Sequence, residues 1–290
     1  MEIVEDGYIT TLDGDALRHA AEVLNEAEDR LPEEVAKVRA WLRTQPHLNA
    51  HTDAMHIVRF LRGCKYDHEK TRRKITNFYG MRGRCTEWFD NRCPTLRQIQ
   101  DMLDMGVFLP LRKHNEHHNT VVIIRAAVHN PAKHRQDDVF KTGMMVLDRA
   151  LEMDETISVY GVIAIIDLAG IGVGHARQLT IKIIRNAVHA WQDCYPVRIR
   201  RLDFINAPVY VNVVLNTFRR FMREKLRNRV HVHYGSLDAL YEEVSPTILP
   251  YEYGGTDGSL QELKEYWKSE LMENQDWFVQ DEKHKATKIK

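Results

Sequence analysis

The feature that most constrains the fold is a change of period near residue 105. Before it, apolar residues recur at helical spacing; after it, short β-branched runs alternate with helical stretches. The runs are "GVFLPL", "TVVIIRAA", "VYGVIAIIDLA", "RLDFINA" and "NRVHVHY", each bounded by turn residues. Between them lie "DDVFKTGMMVLDRALEM", "HARQLTIKIIRNAVHAWQD" and "PVYVNVVLNTFRRFMREKL". Strands alternating with helices predict α/β crossovers and a mixed, mostly parallel sheet, because a parallel neighbour needs a long connection.

The first ninety or so residues read as helices alone. "LDGDALRHAAEVLNEA" carries an Asp cap, and Pro32 stands at the favoured opening position of "PEEVAKVRAWLRTQ". Asp53 caps "AMHIVRFLRGCK", whose Ile57, Phe60 and Leu61 share a face. Asp67 caps "HEKTRRKITNFYGMRGR", with Ile75, Phe78 and Tyr79 inward. After "LPYEYGG" comes a last helix, "SLQELKEYWKSELM"; the charged "DEKHKATKIK" reads as a disordered tail. The division expected is a helical lobe over 1–93, a sheet-containing lobe over 94–260, and a C-terminal helix with tail over 261–290.

Charge and cysteine content narrow the function. Lys+Arg and Asp+Glu are equal at 41 each, which argues against a general nucleic-acid binder; any attraction for anions is a local patch. The four cysteines show no CxxC spacing, so neither a zinc site nor a disulfide framework is expected. The N-terminus is acidic without an apolar core segment, and no run of 18 apolar residues exists, so neither a signal peptide nor a membrane span is expected.

The motifs of common catalysts are missing: there is no GxSxG elbow, no GxxxxGK[ST] and no HExxH. "GIGVGH" follows a strand and precedes a helix, but its GxGxG spacing and the lack of a following strand-end acid favour a turn over a dinucleotide site. "KHNEHHNT" gathers His114, Glu116, His117 and His118 between two strands, where a solvated hairpin is the favoured reading over a metal site. No cofactor, metal or catalytic residue is expected.

The helix after Pro208 has too much apolar surface. Asn212, Asn216, Arg219, Arg220 and Arg223 fill an arc of about 100°, while Tyr210, Val211, Val213, Val214, Leu215, Phe218, Phe221 and Met222 spread over about 200°. Packing on a sheet uses about half of that, so the excess meets a second apolar partner: a neighbouring helix, a ligand in a cavity, or a membrane. The helix read over residues 176–192 has Leu179, Ile183, Ile184, Ala187, Val188 and Trp191 on one face.

Several stretches together resemble the CRAL-TRIO family. "DAMHIVRFLRGCKYDHEKTRRKITNFYGMR" is similar to its N-terminal helical segment. "GVIAIIDLAGIGVGHARQLT" looks like its DLEG strand and following helix. "CYPVRIRRLDFINAP", "FMREKLRNRVHVH" and "LPYEYGG" follow in the family's order, from about residue 50 to 260. The likeness is strongest to the α-tocopherol transfer protein, retinaldehyde-binding protein and clavesin branch. It implies a helical lobe and a lipid-binding lobe in which a sheet floor and a mobile gate helix enclose one hydrophobic molecule, without catalytic residues.

The resemblance also assigns residues. Positions matching the cavity lining are Phe140, Met144, Val162, Ile166, Ala187, Ala190, Trp191 and Tyr195, with Phe218 and Phe221 from the gate. Positions matching a phosphoinositide-headgroup site are Arg198, Arg200, Lys225 and Arg229, with Arg59 and Arg62 as weaker additions. Arg198 and Arg200 point the same way by strand alternation, and clustered cations suit a multiply phosphorylated ring. Ala169 stands where the family has the DLEG glutamate, and Met144 and Asp148 stand where the tocopherol carrier offers serines. The cargo expected is therefore a tocopherol-, retinoid- or carotenoid-like or other isoprenoid lipid rather than tocopherol by default. The function implied is a monomeric, cytoplasmic carrier that is peripheral at endosomal or plasma membranes and releases its cargo at phosphoinositides. The alternative is a phosphoinositide-sensing module that moves no cargo.

Overall fold

A computed structural model describes residues 7–287. The chain begins with six helices, α1 (Gly14–Leu24), α2 (Leu31–Arg43), α3 (Ala54–Gly63), α4 (His68–Arg84), the one-turn α5 (Thr86–Phe89) and α6 (Arg97–Met105). The caps read from sequence are made. Asp13 Oδ1 accepts from the Ala16 N–H at 2.8 Å, Asp53 Oδ1 from that of His56 at 3.1 Å, and Asp67 Oδ1 from that of Lys70 at 3.0 Å.

The rest alternates as expected: β1 (Phe108–His114), β2 (Thr120–Arg125), α7 (Gln136–Met153), α8 (Thr156–Tyr160), β3 (Val162–Asp167), α9 (Val173–Gln178), α10 (Ile181–His189), β4 (Ile199–Ile205), α11 (Val211–Arg219), α12 (Glu224–Arg227) and β5 (Val230–Val232). Then come α13 (Asp238–Tyr241), α14 (Leu260–Glu273) and α15 (Gln275–Asp281). The five strands lie in sequence order; β1 is antiparallel to β2 and the rest are parallel. The fold is thus α/β, a helical region followed by a mixed, mostly parallel sheet. Gly161 takes φ +92° at the entrance to β3, and a Cβ there would lie 2.3 Å from the Arg198 carbonyl, so only glycine fits where β3 meets β4.

Three readings need correction. The helix expected over 176–192 breaks at Thr180, whose hydroxyl accepts from the Ile183 N–H and restarts the chain as α10; Ala190–Cys194 then widen into a π turn. The helix after Pro208 ends at Arg219, and α12 is a separate turn. The charged tail is not loose: the Ala286 N–H donates to Tyr79 O at 2.9 Å and the Thr287 N–H to His47 O at 2.8 Å, strapping the end of the chain onto the helical region. Residues 288–290 of that tail lie outside the described residues.

The helical region is joined to the rest through buried charge. Arg62 is fully buried and donates to Glu26 at 2.8 and 2.9 Å and to Glu155 at 2.7 Å. Arg82 of α4 and Arg92, also buried, reach Asp281 of α15 at 2.5 Å each, and Arg92 also holds Asp148 of α7. Burial alone raises a carboxylate's pKa, but Arg82, His51 and Arg92 hold Asp281 far below the usual range. Beside this network His56 Nδ1 lies 2.8 Å from Asp53 and its Nε2 3.2 Å from Glu152; its ring stacks on His51 at 3.9 Å. Burial pulls His56 down, but Asp53 and Glu152 outweigh it and hold it up at about 9.

Two outcomes follow. Asp281→Asn leaves buried guanidinium charge unmatched and lowers the unfolding free energy by roughly 3–5 kcal/mol, read by urea denaturation. His56 has a folded pKa above its unfolded one, so its contribution is full below about pH 6.5 and disappears as pH rises through about 9. The stability difference between the wild-type chain and His56→Gln therefore shrinks between pH 6 and pH 9.5, a trend that paired urea titrations measure.

Candidate functional site

Alternation along the parallel strands turns one set of side chains toward a cavity of about 210 Å³. Ile124 of β2, Ile166 of β3 and Leu202 and Phe204 of β4 form its floor. Helix α7 contributes Gln136, Val139, Phe140, Gly143 and Met144, which recur at three- and four-residue spacing and so share a face. Ala187, Val188 and Trp191 close a second side, and Val211, Val214, Leu215 and Phe218 of α11 close the third. Ala187 leaves space where a larger residue would fill it.

The wide apolar arc of α11 is divided in two. Val211 and Leu215 are buried, and with Val214 and Phe218 they face the cavity. On the other side Val213 is 73% exposed, and Val209, in the turn before the helix, is 92% exposed, while Tyr210 lines the cavity rim and is half-exposed. The second apolar partner of this helix is therefore the cavity, and the apolar side chains on its other side are left in solvent. Among the described residues no helix is long and apolar enough to cross a membrane.

Six of the ten residues expected in the lining are there: Phe140, Met144, Ile166, Ala187, Trp191 and Phe218. Four are not. Val162 shares a face with Ile166 but sits four residues earlier, about 13 Å away along the strand at roughly 3.3 Å per residue. The π turn swings Ala190 and Tyr195 away, and Tyr195 meets Phe78 of α4 edge-on at 5.2 Å. Phe221 lies beyond the end of α11, where Met222 faces the cavity in its place. Gln136, His175 and Leu226 line the cavity without having been expected. Gln136 was within reach of sequence reasoning, four residues before Phe140.

A second feature lies at the amino-terminal ends of the parallel strands. Arg198 donates to the carbonyl of Arg62 at 2.7 Å and to that of Val159, Arg200 donates to Tyr160 O at 2.5 Å, and Arg229 donates to Ile199 O. Among the described residues none of these three, nor Lys225, is ion-paired. Burial and then the neighbouring Arg200 pull Arg198 down to about 10. Arg229 lowers Lys225 most, followed by burial, Lys65, Arg200 and Arg198. These shifts mark cations close together with no acid between them. Lys65, exposed in the turn after α3, joins the cluster and was not anticipated.

Arg59 does not belong to that cluster. It is buried and pairs with Glu152 of α7, so its charge is spent inside the protein. Arg62 is likewise consumed by Glu26 and Glu155. Arg201, on the opposite side of β4 from Arg198 and Arg200, binds buried Asp203 at 2.9 Å and Glu243 at 3.2 Å.

The remaining sequence candidates are structural. Asn115 Oδ1 accepts from the N–H groups of His117 and Asn119 and shapes the β1–β2 hairpin that holds the clustered histidines. In "GIGVGH" the Gly172 N–H donates to His175 Nδ1, and the helix that follows is only six residues long. Among the described residues one group of histidine and carboxylate atoms is close enough to hold a metal, His51, Asp53 and His56. Its rings are stacked 9° from parallel and its nitrogens are engaged by carboxylates, which is ion-pair geometry.

Comparison with known proteins agrees with this architecture. The sequence model of the CRAL/TRIO domain matches residues 104–255, and that described as "Pinta-like, UBA domain" matches residues 27–99. The chain is 27% identical to "Alpha-tocopherol transfer protein-like" of Mus musculus and of Homo sapiens, over 95% of its length and 79% of theirs. It is 28% identical to Clavesin-2 of Rattus norvegicus over 84% of its length and 75% of that protein's. The crystal structure of Sfh5 superposes with a TM-score of 0.54 over 92% of this chain and 99% of that one, at 14% identity, a likeness of fold. The chain belongs to the CRAL/TRIO family, a family of lipid-binding proteins and not a known family of enzymes.

Filling the cavity tests its standing as a binding site. Ala187→Trp places an indole in the open space, so affinity for a fluorescent hydrocarbon such as diphenylhexatriene falls by about tenfold or more while the thermal midpoint holds.

Proposed function

We propose, from membership of the CRAL/TRIO family, that this protein carries one lipophilic molecule and exchanges it at phosphoinositide-bearing membranes. The observation that carries the reading is α11: one side walls an apolar cavity and the other leaves Val209 and Val213 in solvent. A soluble protein that keeps two valines outside beside an apolar cavity has a surface that gains free energy by meeting lipid. The same contact lies over the cavity, so membrane docking and opening are coupled. The names of the relatives, an alpha-tocopherol transfer protein-like protein among them, support a lipid cargo of isoprenoid size.

The unpaired cluster of Arg198, Arg200, Lys225 and Arg229 supports the second half of the proposal. Lys225 stands in α12, directly after the gate segment. Cations held together without acids lower one another's pKa, and a phosphorylated inositol relieves that repulsion while accepting hydrogen bonds from several of them. The protein then works on the cytoplasmic side of endosomal or plasma membranes, where such headgroups are exposed.

Vesicle assays separate the two parts. Val209→Asp with Val213→Asp reduces transfer of a fluorescent polyene between vesicles by about tenfold, with loading of the purified protein unchanged. Lys65→Ala with Lys225→Ala removes exposed charge without touching the packing and weakens binding to phosphatidylinositol bisphosphate vesicles, roughly tenfold at low salt and less at 0.5 M salt. Transfer that never exceeds the protein-free rate sinks the carrier reading and leaves a headgroup sensor in its place.

A further inference from the structure

The cavity wall holds one polar side chain whose hydrogen-bonding groups go unused. Gln136 is 8% exposed and opens α7 on the face it shares with Phe140, Gly143 and Met144. Its backbone N–H donates to Gln178 Oε1 at 2.6 Å, and Gln178 in turn donates to Pro131 O at 2.6 Å and His134 O at 2.9 Å. The backbone of that corner is therefore fixed and satisfied. The side-chain amide of Gln136 has no hydrogen-bond partner among the described residues.

The other polar side chains of the cavity lining, His175 and Tyr210, are occupied. His175 accepts the Gly172 N–H on Nδ1 at 3.2 Å and donates from Nε2 to His129 O at 3.0 Å, so neither nitrogen is left for a guest. The Tyr210 hydroxyl donates to Ile171 O at 3.1 Å. With no protein partner on an otherwise apolar wall, this amide is open to whatever enters the cavity, water or an oxygen of the occupant. The wall contains no lysine or arginine, so a carboxylate there would be buried without a counter-charge.

We propose that Gln136 is the specificity-determining contact for the cargo. The cargo is then a lipid with one neutral oxygen, an alcohol or aldehyde, at the end that seats against the start of α7, and an apolar body along Phe140, Met144 and the floor. The amide Oε1 accepts from a hydroxyl, and its Nε2 donates to a carbonyl or hydroxyl oxygen. This inference rests on the carrier reading and names the class of cargo within the same cavity.

The test uses the purified full chain loaded with diphenylhexatriene, a hydrocarbon with no oxygen, and displaces it with octadecanol, octadecanal, stearate or octadecane. The wild-type chain favours the alcohol and aldehyde over the alkane by about tenfold, the worth of one good hydrogen bond, and discriminates against stearate above its pKa. Gln136→Leu, loaded with diphenylhexatriene, loses the preference for the oxygenated chains, read as the ratio of displacement by octadecanol to displacement by octadecane. A wild-type chain that loads diphenylhexatriene but ranks alcohol and alkane alike overturns the role of Gln136 and leaves the carrier reading intact. So does a Gln136→Leu chain that keeps the preference. A chain that takes up no diphenylhexatriene overturns the carrier reading and this inference with it.

Discussion

The arrangement depends on two buried carboxylates. Asp148 and Asp281 are buried, and both are held by cations: Arg92 and Arg82 reach each of them, and His51 also reaches Asp281. These residues come from α4, the segment after α5, α7 and α15, so the charge requirement fixes four parts of the chain relative to one another. Along α7 the consequence is directional. Gln136, Phe140, Met144, Asp148 and Glu152 follow one another every four residues on one ridge. The first three face the cavity, while Asp148 and Glu152 are held by Arg92 and by Arg59. One end of the helix is clamped by ion pairs so that the other end presents a fixed wall.

This explains which parts of the molecule were legible from sequence. Period and caps depend on neighbours within a few residues, so the strands, the sheet class and the caps at Asp13, Asp53 and Asp67 were readable. The break at Thr180 was carried only by one hydroxyl within a helical pattern, and the pattern concealed it. The fate of an arginine depends on distant acids. Arg59 and Arg198 look alike in a string, but Glu152 lies 93 residues from Arg59, whereas among the described residues nothing acidic meets Arg198. The same holds for the lining. Phe140, Met144 and Ala187 were matched by resemblance and lie on helical faces that meet the cavity, while the matched Val162 lies too far along its strand to reach it. Tyr195 failed because a π turn of five residues rotates everything after it.

Strand β4 shows how one short segment divides between two environments. Leu202 and Phe204 face the cavity, while Arg198 and Arg200 stand at the start of the strand with their guanidinium groups on the carbonyls of Arg62, Val159 and Tyr160. Those carbonyls belong to the end of α3 and to α8, so the basic cluster is positioned by backbone, not by acids. A carbonyl orients a guanidinium without neutralising it. That distinction lets a cluster of cations be ordered and still be available to an anion.

Exposed apolar surface and unpaired positive charge are each unfavourable in water, and this chain has both next to α11 and α12. Val209 and Val213 do not contribute to the core, and Lys225 and its neighbours repel one another. Neither feature stabilises the folded chain, and either is easily removed by substitution without disturbing packing. Under the carrier reading one circumstance relieves both: an interface with acyl chains below and phosphates above. Under the carrier reading the free energy released at that interface is what moves α11, because its two apolar sides compete for the same lipid environment. Docking that covers Val209 and Val213 lowers the cost of letting Val211, Leu215 and Phe218 leave the cavity, since they too then meet hydrocarbon instead of water. The gate in this view opens by changing its solvent, and the contacts that tie it to the body, Asn212 to the Tyr234 hydroxyl at 2.7 Å and the Tyr210 hydroxyl to Ile171 O at 3.1 Å, are exposed ones that water or a headgroup replaces.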